Sequence, residues 1–180
     1  MINANDYRSA LLAAVAAALV SLLPASVNSA TTLEERRLSF YHTHTRETLN
    51  VTYAINGEYV DSALVRINEF LSDFRTGDVE VVDPELLDLI HDVRESLNSS
   101  GTFEIISAYR SPKTNEMLRA QSSGVARNSQ HVLGKAIDVR LRGTETSRLR
   151  DTAIEMQRGG VGYYAQSNFV HLDTGRVRRW

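Results

Sequence analysis

The feature that most constrains how this chain can fold is the run Ser129-Gln130-His131-Val132-Leu133-Gly134-Lys135-Ala136-Ile137-Asp138, followed further on by Val170-His171-Leu172-Asp173. His131, Asp138 and His171 can close three corners of a metal tetrahedron and leave the fourth to water, as in a hydrolytic rather than a structural site. They can do so only if the segments around 138 and 171 fold side by side, although 33 residues separate them. Strand parity supports that pairing. Ile137, Val139 and Leu141 fall on one apolar face, and Ala136, Asp138 and Arg140 on the other. By the same count Val170 and Leu172 point to the core, while Phe169, His171 and Asp173 point away from it. His131 must then reach the shared face from a loop, with Gly134 making the bend and Ala136 leaving room beside Asp138.

The chain has no cysteine, so thiolate ligands are excluded and a metal here is held by His, Asp or Glu. Two imidazoles and one carboxylate suit a single zinc ion without selecting it uniquely. A divalent ion so held keeps net positive charge, which acidifies water and polarises a carbonyl.

At 180 residues, without repeats, the chain is expected to form one domain preceded by an export segment. Arg8 precedes the apolar run Ala10 to Leu23, and Pro24 and a small or polar stretch lead to Ser29-Ala30. That layout predicts a signal peptide over 1–30 and an exported, periplasmic domain over 31–180. The run is short for a membrane span, so membrane contact is expected only through this segment if it stays uncleaved. Twenty basic and 22 acidic residues leave no electrostatic footprint for nucleic acid, and no such partner is expected.

The rest reads as an α+β domain, a small, mainly antiparallel sheet with flanking helices. Leu38 to Thr43 and Thr48 to Ala54 predict a hairpin, and Asn56-Gly57 a turn. Helices are predicted from Asp61 to Arg75 and from Asp83-Pro84 through Leu97. Thr102 to Tyr109 reads as a strand, Ser111-Pro112 opens a helix reaching about Ser122, and Lys135 to Arg142 is a strand. Thr144 is expected to cap a helix ending at Gln157 and stopped by Gly159-Gly160, before a strand pair, Val161 to Tyr164 and Asn168 to Asp173.

The pattern Ser-x-His-x-x-Gly-x-Ala-x-Asp, with Ser-Ala-Tyr-Arg-Ser at Ser107 to Ser111 upstream and Val-His-Leu-Asp-Thr-Gly downstream, resembles the zinc D-Ala-D-Ala metallopeptidases. That family includes the VanX-type dipeptidases and the zinc domain of hedgehog proteins. The chain is most similar to its murein endopeptidase K branch, through the closing Gly-Gly-Val-Gly-Tyr-Tyr and Trp180. The resemblance implies a zinc enzyme acting on peptidoglycan stem peptides, cutting cross-links between diaminopimelate residues or from D-Ala to diaminopimelate. His131, Asp138 and His171 match the zinc ligands. Arg110 matches an arginine facing the substrate carbonyl, where its charge would stabilise the oxyanion, and Ser129 a serine near the substrate terminus. Many relatives carry a catalytic Glu, Asp or His two or three residues before the last histidine, where this chain has Asn168 and Phe169. Asp173 then has two readings: proton acceptor from the attacking water, or orienter of a ligand. A carboxypeptidase or dipeptidase acting on terminal D-Ala, and a non-catalytic zinc-containing wall-binding module, are the alternatives.

Weaker signals have plainer readings. His42-x-His44 lacks a third ligand and suits an exposed hairpin, and Gly159-Gly160-Val161-Gly162 lacks the lysine of a phosphate loop. One of Tyr163 and Tyr164 is expected at the cleft. Arg176, Arg178 and Arg179 suit a solvated tail or contact with the anionic wall.

Overall fold

The computed structural model describes residues 33–122 and 124–180. The expected signal segment over 1–30, with its cleavage near Ser29 or Ala30, lies outside the described residues. Among the described residues no helix is long and apolar enough to cross a membrane.

The elements run β1 (Glu35–His42), β2 (Thr48–Ile55), β3 (Glu58–Tyr59), α1 (Asp61–Phe70), α2 (Pro84–Ser96), β4 (Phe103–Ser107), α3 (Pro112–Gln121), a 3-10 turn (Gln130–Leu133), β5 (Ala136–Leu141), α4 (Thr146–Met156), β6 (Gly160–Tyr164), β7 (Phe169–Asp173) and β8 (Arg178–Arg179). The α+β class holds and five of the seven strand pairings among the described residues are antiparallel, but the sheet is larger than expected, one eight-stranded mixed sheet ordered β3-β2-β1-β4-β5-β7-β6-β8. β1 pairs with β4 and β6 with β8 in parallel, and the other neighbours are antiparallel. β1 and β4 are far apart in the chain and β7 intervenes between β6 and β8, so no tight turn marks either parallel pairing in the sequence.

Leu38, Phe40, Phe103, Ile105, Ile137, Val139, Val170 and Leu172 point to one sheet face and are almost wholly buried. Ile67 of α1, Leu86, Leu87, Ile90 and Val93 of α2, and Leu149 and Ala153 of α4 belong to the same core. Burying one such side chain contributes about 2 kcal/mol, so this face anchors the sheet and leaves the other free for polar work.

Two boundaries depart from expectation for local reasons. Helix α1 ends at Phe70, not Arg75, because the main-chain carbonyl of Asp73 accepts from Thr76 N and Gly77 N and turns the chain. Phe74 then stacks on His44 at 3.9 Å between ring centroids. His42 is not exposed: it is 1% accessible, and its Nδ1 accepts from the amides of His44 and Thr45. In α4 the N-cap is Glu145 rather than Thr144, and the Thr146 hydroxyl donates to Asn168 Oδ1 instead.

Candidate metal centre

Asp138 and His171 are direct cross-strand partners, flanked by Ile137 with Leu172 and Val139 with Val170 on the core side. The parity read from the sequence thus becomes a physical pairing. Gly162 of β6 stands opposite His171 on its other side, and Ser107 of β4 pairs with Asp138 past a bulge. His131 enters from the 3-10 turn, where its own amide donates to the Ser129 hydroxyl. Gly134 ends that turn at φ +66°, and a β-carbon there would fall 2.2 Å from the Val81 carbonyl oxygen. Only glycine fits both the backbone angle and the space.

The three side chains are all buried, and their ligand atoms lie within 4.8 Å of one another. His131 Nε2 is 3.1 Å from His171 Nδ1, which is 2.9 Å from Asp138 Oδ1; that oxygen is 3.3 Å from His131 Nε2. Such edges fit a tetrahedral ion with bonds of about 2.0–2.2 Å. The tautomers fit as well. His131 Nδ1 is 2.6 Å from the Ala108 carbonyl, which can only accept, so the proton sits there and Nε2 is free. His171 Nε2 is 2.8 Å from Asp173 Oδ2, so Nδ1 is the free atom of this ring. The two histidines therefore offer opposite nitrogens to one point.

Burial favours the neutral form of His131 and pushes its pKa down. For His171 burial acts the same way, but hydrogen bonds with Asp138 and Asp173 outweigh it and raise the pKa. Burial also opposes the charge of Asp138, yet both imidazoles hold its carboxyl well below the usual range. The carboxylate is ionised and both rings are pre-aimed, so a metal would bind without rearrangement of the side chains and would displace the proton that the raised pKa favours on His171.

The triad opens on a cleft of about 430 Å³ lined among others by Arg110, Ser129, Tyr164, Phe169, Arg178 and Trp180. Arg110 Nη2 lies 3.4 Å from Ser129 Oγ, while its Nε is buried with no partner among the described residues. Burial lowers the Arg110 pKa, and the nearby Asp138 charge partly offsets that. Asp173 is not on the cleft wall. It is 0% exposed behind the His171 ring, where it accepts from Gly160 N, Gly175 N and both terminal nitrogens of Arg178. Arg178, read as part of a solvated tail, is thus a bidentate partner of a buried carboxylate. Gly160 is required there, since a β-carbon would sit 2.5 Å from Asp173 Oδ2 and 2.4 Å from Arg178 Nη1.

Asp73 was not singled out by the sequence, because the apolar period continued through it to Phe74. It is 1% exposed and accepts from the Ser111 amide at 2.9 Å and the Ser111 hydroxyl at 2.8 Å. With Tyr109 N donating to Leu71 O, it clamps the segment that carries Arg110. The turn residues Thr76-Gly77 marked an end only at Arg75, five residues beyond the observed end at Phe70. Burial opposes ionisation of Asp73, but bonds from Thr114, Ser111 and the Arg75 amide hold its pKa at about 2. The folded pKa lies below the unfolded one, so its stabilisation is present above about pH 4 and lost as pH falls towards 2. We expect about 2 kcal/mol from this group at neutral pH. Denaturant unfolding of Asp73→Asn at pH 7 and pH 2 checks it: the deficit against wild type should shrink at the lower pH.

Comparison with known proteins follows the same lines. A family model described as peptidoglycan L,D-endopeptidase MepK matches residues 30–180. The peptidoglycan L,D-endopeptidase MepK of Escherichia coli strain K12 is 35% identical over 178 residues, spanning 99% of this chain and 98% of that protein. The probable peptidoglycan L,D-endopeptidase MepK of Haemophilus influenzae is 38% identical over 163 residues, 89% of this chain and 88% of that protein. The resemblance drawn from the motifs holds. Matches of this length and identity make the chain a member of the peptidoglycan L,D-endopeptidase MepK family.

Proposed function

We propose that the chain is a zinc-dependent peptidoglycan endopeptidase that hydrolyses peptide cross-links between stem peptides, with the L,D bond named for its relatives as the bond cut. The observation that carries this reading is the convergence of His131 Nε2, Asp138 Oδ1 and His171 Nδ1 on one point of an open cleft beside Arg110. A bound zinc ion would supply positive charge that polarises the scissile carbonyl and acidifies water. The chain's own residues do the rest. Ala108 and Asp173 fix the orientation of His131 and His171, so each ring points the same nitrogen at the site before a metal arrives. Arg110 offers a guanidinium with unused donor capacity to the developing oxyanion, and Ser129 steadies that side chain or the substrate terminus. Asp173 acts as the orienter of His171, its oxygens being taken up on the side of the ring away from the cleft. Export to the periplasm suits a wall substrate and the composition of residues 1–30, which precede nearly all of the family match.

The test is incubation of the mature protein with cross-linked muropeptides, with and without a chelator. Release of monomers abolished by chelation supports the reading. Loss of a single terminal D-Ala would replace it with a carboxypeptidase, and binding without cleavage with a wall-binding module.

Arg110→Ala should lower kcat about 10²- to 10³-fold while zinc content stays at the wild-type level, since the guanidinium touches no ligand atom. Steady-state kinetics beside metal analysis checks this, and Arg110→Lys should recover part of the loss.

A further inference from the structure

Trp180 is the single tryptophan of the chain and is 51% exposed, yet its position is held from several sides. Its main chain pairs with β6, Trp180 N donating to Val161 O at 3.2 Å and Tyr163 N to Trp180 O at 3.0 Å. The indole Nε1–H donates to the Tyr164 hydroxyl at 3.0 Å. The ring covers Gly162, where a β-carbon would come within 2.6 Å of it, and the Arg178 guanidinium lies 4.9 Å from its centroid. Tyr164 continues the wall by stacking on Phe169 at 4.5 Å. The packing that orders this residue leaves it half exposed on the lining of the cleft, its ring 5.2 Å from the His171 ring. A large aromatic surface that is ordered but not buried is a contact surface for something absent.

We infer that the exposed face of Trp180 is the specificity wall for the side chain next to the scissile bond, and that it takes an unbranched saturated chain such as the alkyl arm of a diamino acid. This rests on the endopeptidase reading. An extended chain advances about 3.5 Å per residue, so a surface 5.2 Å from a ligand ring reaches the residues flanking the bond and not a sugar several residues away. The wall is apolar, ending in the stacked Tyr164 and Phe169 rings, so methylene groups gain most by lying on it. Arg110, which lines the same cleft with its Nε unpartnered among the described residues, disfavours a cationic group close in and favours a carboxylate.

Because no other tryptophan is present, indole emission reports this wall alone. Titrating the metal-loaded protein with the tetrapeptide stem L-Ala-D-Glu-diaminopimelate-D-Ala should give a saturable shift in emission, and the same peptide with alanine in place of diaminopimelate should give none. Trp180→Ala should raise KM for a cross-linked muropeptide dimer about tenfold while kcat stays within about twofold, and Trp180→Phe should restore KM to within about threefold of wild type. Unchanged emission, an equal response to the alanine peptide, or a fall in kcat with loss of metal and unchanged KM would overturn the inference. Should Trp180→Ala fail to fold, the emission titration and the phenylalanine variant still decide. A wild-type protein that shifts its emission selectively but leaves the dimer uncut would sink the endopeptidase reading and keep the wall.

Discussion

Asp138→Ala should abolish cross-link cleavage, lowering activity by at least about three orders of magnitude and removing stably bound metal from the purified protein. Asp138 is the only acidic side chain among the described residues that line the cleft, and its Oδ1 meets His171 Nδ1 and His131 Nε2. Without it the two nitrogens, 3.1 Å apart, would share an ion with no anionic ligand to offset its charge in a buried setting. Asp138→Asn sharpens the test because it keeps the shape and removes the charge. It should fold, as judged by circular dichroism and unfolding temperature, and still lose both zinc and activity. A folded Asn variant that cleaves at the wild-type rate would show that the triad is not the reaction centre. Chelation of the wild-type protein should reproduce the loss, with recovery on adding zinc back.

Asp173→Ala should weaken metal affinity about 10- to 100-fold, the usual cost of losing the group that orients a ligating histidine. It should also destabilise the fold by about 2 kcal/mol or more, since the Arg178 guanidinium then faces a void in place of a bidentate carboxylate. Burial opposes the charge of Asp173, but bonds from His171, Arg178 and the Gly175 amide hold its carboxyl well below the usual range. A group so held is a poor proton acceptor near neutral pH. The two roles separate cleanly in a zinc competition assay run beside activity at saturating zinc. An orienter shows weak affinity and activity that largely returns when the site is filled. A proton acceptor shows normal affinity and activity that stays about 100-fold down.

How far the site could be read from the chain differs by residue. Asp138 and His171 were legible because alternation is a property of every strand, and the flanking Ile137, Val139, Val170 and Leu172 fix which face turns inward. His131 was legible from its spacing and from Gly134, whose positive φ no other residue meets easily. The place of Arg110 and Ser129 at the cleft was expected only through resemblance, since an arginine at a strand end and a serine at a turn have many uses. Asp73 was hidden by a helical period that ran on through Phe74, whose ring packs on His44 instead of on the next turn of a helix. Arg178 was hidden because a basic residue near a chain end looks the same whether it is solvated or paired. The parallel contact of β1 with β4 was hidden because 63 positions separate Phe103 from its register partner in β1, Phe40. No local signal reaches that far.

By itself the sequence determined the candidate ligand set, the class of metal that set suits, the face on which two of its side chains lie and the α+β character of the chain. These follow from side-chain chemistry and from the short periods of strands and helices, both local properties. Tertiary structure alone decided which nitrogen each histidine offers, because that depends on the Ala108 carbonyl and the Asp173 carboxylate standing behind the rings. It also decided that Asp173 is buried against Arg178 and that Trp180 faces the cleft beside His171. A hydrogen bond or a packed ring is fixed by distances of a few ångströms between residues that the chain brings together only when the sheet has closed.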